Sequence, residues 1–154
     1  MIESCVCYLV RENQVLFLHR TKKENDANQG KWIGIGGKLE ALETPEQAMK
    51  REVLEESGYT VLEYEWKGRI DFNSDIYPQE RIYVYLVTSF SGQEIPCEEG
   101  DLQWVDLDRI QSLELWPGDR YFLAHLFEAS SPFFHYVMQY DQENQLKEVR
   151  LVHE

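Results

Sequence analysis

The sequence is poor in cysteine and proline, with three and five among 154 residues. The thiols of Cys5, Cys7 and Cys97 are odd in number, and no second cysteine or histidine pair stands at zinc-ligand spacing. A disulfide framework is therefore not expected. Reduced, buried thiols in a cytoplasmic protein are. Long apolar runs are also missing: none approaches the roughly 18 residues of a membrane helix. The opening MIESCVCYLV has no basic region of the signal-peptide kind and reads directly into a strand. Positive charge is scarce, since 15 Lys and Arg face 28 Asp and Glu, leaving a net charge of −13. Such a chain is not expected to grip a nucleic acid polymer. A small phosphorylated ligand stays compatible, because bound divalent cations invert the local field.

What is present suffices for one core: 43% of residues are apolar and 13% aromatic. The length predicts one domain over residues 1–154. Val6 to Val10 and Val15 to Leu18 read as a β-hairpin. Thr21 to Lys31 is a polar loop, and Trp32 to Ile35 a short strand entering a Gly36-Gly37 turn. The clearest helix follows, with Thr44 as N-cap, Pro45 in the first position and Gln47 closing a capping box. Met49 and Val53 are spaced for its core face, and Gly58 stops it. Further strands are expected over 59–70, 81–90 and 102–105, and an acidic loop over 96–100. A helix is expected over 119–128, and a closing hairpin from 133–139 and 147–152 around 141–144. The fold class is α/β or α+β, a mixed sheet with at least two helices.

Chemistry concentrates between Gly37 and Gly58. Glu52, Glu55 and Glu56 lie at i, i+3 and i+4, so they share one helix face. Three carboxylates side by side repel each other unless a cation joins them. Several hard oxygen donors suit Mg²⁺ or Mn²⁺. The alternative for an acidic helix face is a solvated surface. Around this face Gly37 is followed after five residues by Glu43, and after seven more by Arg51-Glu52-Val53-Leu54-Glu55-Glu56-Ser57-Gly58. This resembles the signature of the Nudix hydrolases at all seven fixed positions, a match expected by chance at about 10⁻⁸ per window. Tyr59 fills the final apolar slot, where a branched aliphatic is more usual.

The resemblance implies the Nudix fold, an α/β/α sandwich around a mixed β-sheet, and metal-assisted hydrolysis of a diphosphate linkage. It implies Glu52 and Glu56 as the main metal ligands beside the Gly37 carbonyl. Glu55 is then a ligand that can also orient or deprotonate water, Arg51 holds Glu55, and Glu43 and Gly58 are structural. Outside the signature, Gly30 to Lys38, Glu98-Glu99, Trp104, Trp116-Pro117-Gly118-Asp119 and the aromatic strand with Phe133 and Phe134 resemble the MutT-like branch, which acts on oxidised purine triphosphates. That branch implies Glu99 as an additional acid on the metal side, and Lys23 and Lys38 as basic groups near the substrate. Trp116 would stack on the base and Asp119 would read its edge. For each, a plain role remains open: Trp116 as a core aromatic, Asp119 as a first-turn acid, Lys23 as surface and Glu99 as a solvated loop acid. Mammalian members carry an amide where this chain has Ile33 and an acid where it has Gly118.

The expected function is Mg²⁺-dependent hydrolysis of nucleoside triphosphates, 8-oxo-dGTP foremost, to monophosphate and pyrophosphate. Expected partners are a small nucleotide and at most a second copy of the chain, with no nucleic acid polymer and no membrane. The rival readings are another Nudix substrate, such as ADP-ribose, a dinucleoside polyphosphate or a sugar nucleotide, and a nucleotide-binding module without turnover.

Overall fold

The computed structural model describes residues 1–22 and 26–153. The expected basic residue Lys23 lies outside the described residues. The described chain runs β1 (Ile2–Arg11), β2 (Gln14–His19), β3 (Trp32–Ile33), β4 (Ile35–Lys38), α1 (Pro45–Ser57), β5 (Tyr59–Ser74), β6 (Glu80–Gly92), β7 (Asp101–Asp106), a 3-10 turn (Leu107–Ser112), α2 (Asp119–Leu123), β8 (Phe134–Tyr140) and β9 (Leu146–Leu151). The sheet order is β3-β2-β1-β6-β5-β8-β9, with β4 added against β1 and β7 against β2. Pairs β1/β6 and β5/β8 are parallel and the others antiparallel, so the sheet is mixed as expected. Among the described residues no helix is long and apolar enough to cross a membrane.

The first hairpin turns at Glu12 and Asn13, with φ of 50° and 66°. Two consecutive left-handed residues match the right-handed twist of the flanking strands. Strand alternation then sorts β1 onto two faces. Cys5, Cys7 and Leu9 meet Ala48, Met49 and Val53 of α1, whereas Tyr8 joins the core under α2 and the 3-10 turn with Phe17, Val84, Phe122 and Leu126. The two β1 cysteines thus share a face, and all three thiols are free and buried.

Helix α1 forms as its end signals predict. Thr44 Oγ1 accepts from the Gln47 N–H at 3.1 Å, and Gln47 Oε1 accepts from the Thr44 N–H at 3.0 Å. At the other end Gly58, with φ of 84°, donates its N–H to the Leu54 carbonyl. Thr44→Ala is expected to lower the unfolding free energy by about 1 kcal/mol, measured by urea denaturation, with the slope unchanged.

Three expectations are corrected. Gly36 and Gly37 are not a turn. They lie within β4, opposite Val6 and Cys5 of β1. The expected strand over 32–35 splits at Gly34, because the chain leaves β2 and takes up the N-terminal half of β1 on the same edge. The helix expected over 119–128 ends at Leu123. Beyond it, bonds from His125 N–H to the Phe122 carbonyl and Glu128 N–H to the His125 carbonyl tighten the chain into turns. There the His125 ring is pinned by Ser131 Oγ at 3.2 Å and Tyr136 Oη at 3.1 Å. Periodicity carries no trace of such tertiary anchoring.

Candidate functional site

Strand β4 and helix α1 are packed closely enough to bring carboxylates onto the strand backbone. A Cβ on Gly37 would lie 2.7 Å from Glu52 Oε1, and one on Gly36 would overlap the Cys5 carbonyl oxygen. The diglycine is thus needed for close approach, with the helix acids seated over the strand. Glu56 Oε2 accepts from the Gly36 N–H at 3.1 Å.

Arg51 organises the opposite side of this group. Its Nε and Nη2 donate to the two oxygens of Glu43 at 2.7 and 2.9 Å, and Nη1 donates to Glu52 at 2.8 Å and Glu55 at 3.1 Å. Nη2 also donates to the Lys38 carbonyl at 3.3 Å. Glu43 accepts the Glu40 N–H as well, which ties the loop before α1 to the helix. The Arg51 hydrogen bonds hold the Glu43 carboxyl down at about 2. Glu55 has no comparable enclosure, and its side chain remains 59% exposed.

Glu52 and Glu56 sit close to each other and to Glu99. Burial pushes the Glu52 carboxyl up, the Arg51 hydrogen bond opposes it, and the charges of Glu55 and Glu99 add to the rise. Burial pushes Glu56 up to about 9, reinforced by Glu52 and Glu99 and opposed by the Gly36 N–H. The rise at Glu52 and Glu56 marks a place where negative charge is unfavourable without a cation. Among the described residues, no three acidic, histidine or thiol groups already converge tightly enough to cage a metal. Even so, the donor set is all hard oxygen, in a seat next to backbone that a Cβ would fill, and it suits a hard divalent cation. Glu52, Glu56, Glu99 and the Gly37 carbonyl could hold one.

Glu99 is positioned by Arg20, a residue that the sequence reading passed over. Arg20 is buried at the end of β2, 3.2 Å from Glu99 Oε2 and 2.8 Å from Asp26 Oδ2. A charged residue closing an apolar strand was the available signal. One partner, Asp26, lies in the loop that follows β2, but the other, Glu99, comes from a loop remote in sequence.

A cleft of about 690 Å³ joins this acidic end to an aromatic one. Glu52, Glu56, Glu99, Gly37 and Lys38 line one part, and Trp116, Asp119, Phe72, Met138 and Tyr140 the other. Trp116 keeps only 9% of its surface exposed. Phe72 and Tyr140 meet it edge-on at 5.9 and 5.2 Å, and Lys31 Nζ sits 5.2 Å over its ring. It is a core aromatic that also presents surface to the cleft. Asp119 keeps some accessible surface where it lines the cleft, yet the surrounding groups strip most water from its carboxylate. Burial raises it to about 7, with Lys31 and Arg120 opposing the rise. Its carboxylate has no hydrogen-bond partner among the described residues.

Gly118 has a packing reason for lacking a side chain. A Cβ there would collide with Met138 Sδ and lie 2.5 Å from Tyr140 Oη, and its own N–H donates to Tyr140 Oη at 2.7 Å. The acid that mammalian members carry at this position has no room. Trp104, by contrast, lies away from the cleft. It stacks on Phe90 beneath the Arg11 guanidinium and donates its Nε1–H to Glu94. Phe134 is buried against Phe122, while Phe133 packs on Trp66 with half its surface exposed.

Comparison with known proteins gives the family of the chain. The NUDIX domain family model matches residues 2–126. The oxidized purine nucleoside triphosphate hydrolase of Mus musculus is 34% identical over 122 residues, 79% of this chain and 78% of that protein. A Bacillus subtilis protein described as an uncharacterized Nudix hydrolase, YvcI, is 29% identical over 94% of this chain and 90% of its own length. The crystal structure of a MutT protein from Bacillus halodurans superposes with a TM-score of 0.88 at 27% identity, covering 98% of this chain and 97% of that one. With the matched family model spanning most of the sheet and the whole of α1, the chain belongs to the Nudix hydrolase family.

Proposed function

We propose that this protein hydrolyses nucleoside triphosphates to a monophosphate and pyrophosphate with Mg²⁺, and that oxidised purine nucleotides, 8-oxo-dGTP foremost, are its substrates. The observation that carries this reading is a continuous cleft with acids at one part and an aromatic, carboxyl-bearing wall at the other. A triphosphate tail needs cations among the carboxylates, and a base needs a flat wall with a polar edge. When bound, a divalent ion would neutralise phosphate charge and polarise phosphorus.

The chain's own groups account for the rest. Glu52 and Glu56, with Glu99 and the Gly37 carbonyl, would hold the ion, and Arg20 keeps Glu99 turned toward them. Arg51 locks Glu43 and Glu52 and leaves Glu55 partly free at the rim, able to hold a water by its exposed oxygen. Lys38 lies on the acidic side of the cleft, where its ammonium would meet phosphate oxygens. Trp116 would contact the base and Asp119 would accept its N–H groups. The apolar surfaces of Phe72 and Ile33 would exclude water from the base. The mouse relative's name, oxidized purine nucleoside triphosphate hydrolase, supports the choice of substrate.

The same reading takes residues 1–154 as one functional domain. Strand β8 lies beyond the family match, yet Met138 and Tyr140 line the cleft. A cytoplasmic location is part of the proposal, supported by three buried thiols without a disulfide.

The test is pyrophosphate and phosphate release with Mg²⁺ over a panel of 8-oxo-dGTP, dGTP, dATP, ADP-ribose and diadenosine polyphosphates. Pyrophosphate release with a clear preference for 8-oxo-dGTP is expected. Turnover of 8-oxo-dGTP no better than dGTP and far below ADP-ribose would overturn the substrate assignment. Binding with no turnover of any of them would overturn catalysis.

A further inference from the structure

The side chain of Asn28 occupies a position in the cleft that the reading above leaves without a role. Trp116 Nε1 faces Asn28 Oδ1 at 2.7 Å. An indole N–H can only donate, so the amide atom facing it has to be the oxygen. The two N–H bonds of the same amide therefore point elsewhere, and they have no partner among the described residues. Asn28 itself lines the cleft.

The amide is held rather than loose. Asp26 lies against the buried Arg20 side chain, Gly30 N–H donates to the Arg20 carbonyl at 2.7 Å, and Lys31 N–H donates to the Asn28 carbonyl at 2.9 Å. The indole that fixes the amide oxygen is clamped in turn by Lys31, Phe72 and Tyr140. The wall around Trp116 thus offers a preset donor pair from Asn28 and, from Asp119, a carboxyl without a hydrogen-bond partner among the described residues. Ile33, also lining the cleft, adds only apolar surface.

We propose that Asn28 is a specificity-determining residue that selects 6-oxopurines: its free amide N–H group donates to the purine O6, while Asp119 takes N–H groups of the same base. This rests on the nucleotide reading above. A 6-aminopurine presents an N–H₂ donor where guanine-type bases present an acceptor, so it would set donors against donors. Asn28 thereby does two jobs with one amide, its oxygen orienting Trp116 and its nitrogen reading the base.

Asn28→Asp separates the two. It keeps an acceptor for the Trp116 N–H and removes both donors. The readout is the ratio of kcat/KM for dGTP to that for dATP, and of 8-oxo-dGTP to dATP, in wild type and variant. Both ratios are expected to fall about tenfold, with the dATP rate kept or raised and the thermal midpoint little changed. Asn28→Ala, which adds no charge, is expected to lower the ratios similarly and to slow every substrate, since Trp116 loses its anchor. Unchanged ratios in both variants, even with all rates reduced, would overturn the proposal and leave Asn28 as a support for Trp116. The wild-type panel alone judges the sanitising reading; if dGTP and dATP bind without turnover, the same ratios are read from their Kd values, and unchanged Kd ratios in both variants overturn the role of Asn28.

Discussion

Glu56→Gln is expected to reduce turnover by at least about 10²-fold while leaving the metal-free fold no less stable than wild type. Glutamine preserves the shape of the side chain and an acceptor for the Gly36 N–H, so only the charge changes. Without a cation that charge is a burden: burial, Glu52 and Glu99 together raise the carboxyl from an ordinary 4.5 to about 9. Across that interval the folded protein keeps a proton that the unfolded chain releases. Stability of the metal-free wild type therefore falls as pH rises from about 4.5 to about 9. The glutamine variant lacks this contribution. Divalent metal is expected to reverse the balance in the wild type by stabilising the ionised form. At a concentration of about 100 Kd it should add roughly 2.7 kcal/mol. Thermal melts with and without Mg²⁺ at pH 8 check this: wild type gains stability, and the variant gains far less. Near-normal turnover by the variant would sink the assignment of Glu56 as a ligand.

Asp119→Asn is the second change expected to act strongly, on stability and on base choice in opposite directions. Burial raises Asp119 from an ordinary 3.8 to about 7. Between those values the unfolded chain loses its proton and the folded one keeps it, so stability falls over that window and levels off above it. The ceiling is about 4 kcal/mol at pH 8, and water reaching the group through the cleft reduces it to roughly 1–3 kcal/mol. The asparagine variant should melt at higher temperature than wild type at pH 8 and about equally at pH 4. Activity should move the other way. The ionised carboxylate accepts N–H groups of a guanine-type base, whereas an amide offers one acceptor and a competing donor pair. kcat/KM for 8-oxo-dGTP is expected to fall about 10- to 100-fold in the variant. The wild-type profile should rise through a limb near pH 7 that the variant lacks. A variant with unaltered base preference and the same pH limb would remove Asp119 from recognition.

The two residues illustrate how a Nudix scaffold separates common chemistry from substrate choice. The acids of α1 are held by local geometry, with three on one helix face and Arg51 bracing Glu52 and Glu55 from the same helix. The wall proposed to face the base is assembled from Asn28, Ile33, Phe72, Trp116, Asp119, Met138 and Tyr140, drawn from loops, strands and a short helix. Variation there can redirect the enzyme without touching the carboxylates. Gly118 shows the coupling within that wall. Met138 and Tyr140 fill the space a side chain would need, which leaves the neighbouring Asp119 as the acid on this segment that lines the cleft.

Much of this was legible in the sequence because its causes are local. Thr44, Pro45, Gln47 and Gly58 define α1 through hydrogen bonds spanning three or four residues. The i, i+3, i+4 spacing puts Glu52, Glu55 and Glu56 on one face whatever the helix packs against. Alternation placed Cys5 and Cys7 together, and the polar turn at Glu12 and Asn13 announced the first hairpin. Tertiary structure decided what depends on long-range partners. It put Gly36-Gly37 in a strand under Glu52 and Glu56, because β1 offered that edge to β4. It shortened the helix after Asp119, where side-chain anchors overrode periodicity. It buried Arg20 between Asp26 and Glu99, and it set Asn28 beside Trp116 across 88 residues. Spacing along a chain specifies which groups one helix presents. Which groups meet across a cleft, and how little water reaches them, follows only from packing the whole sheet.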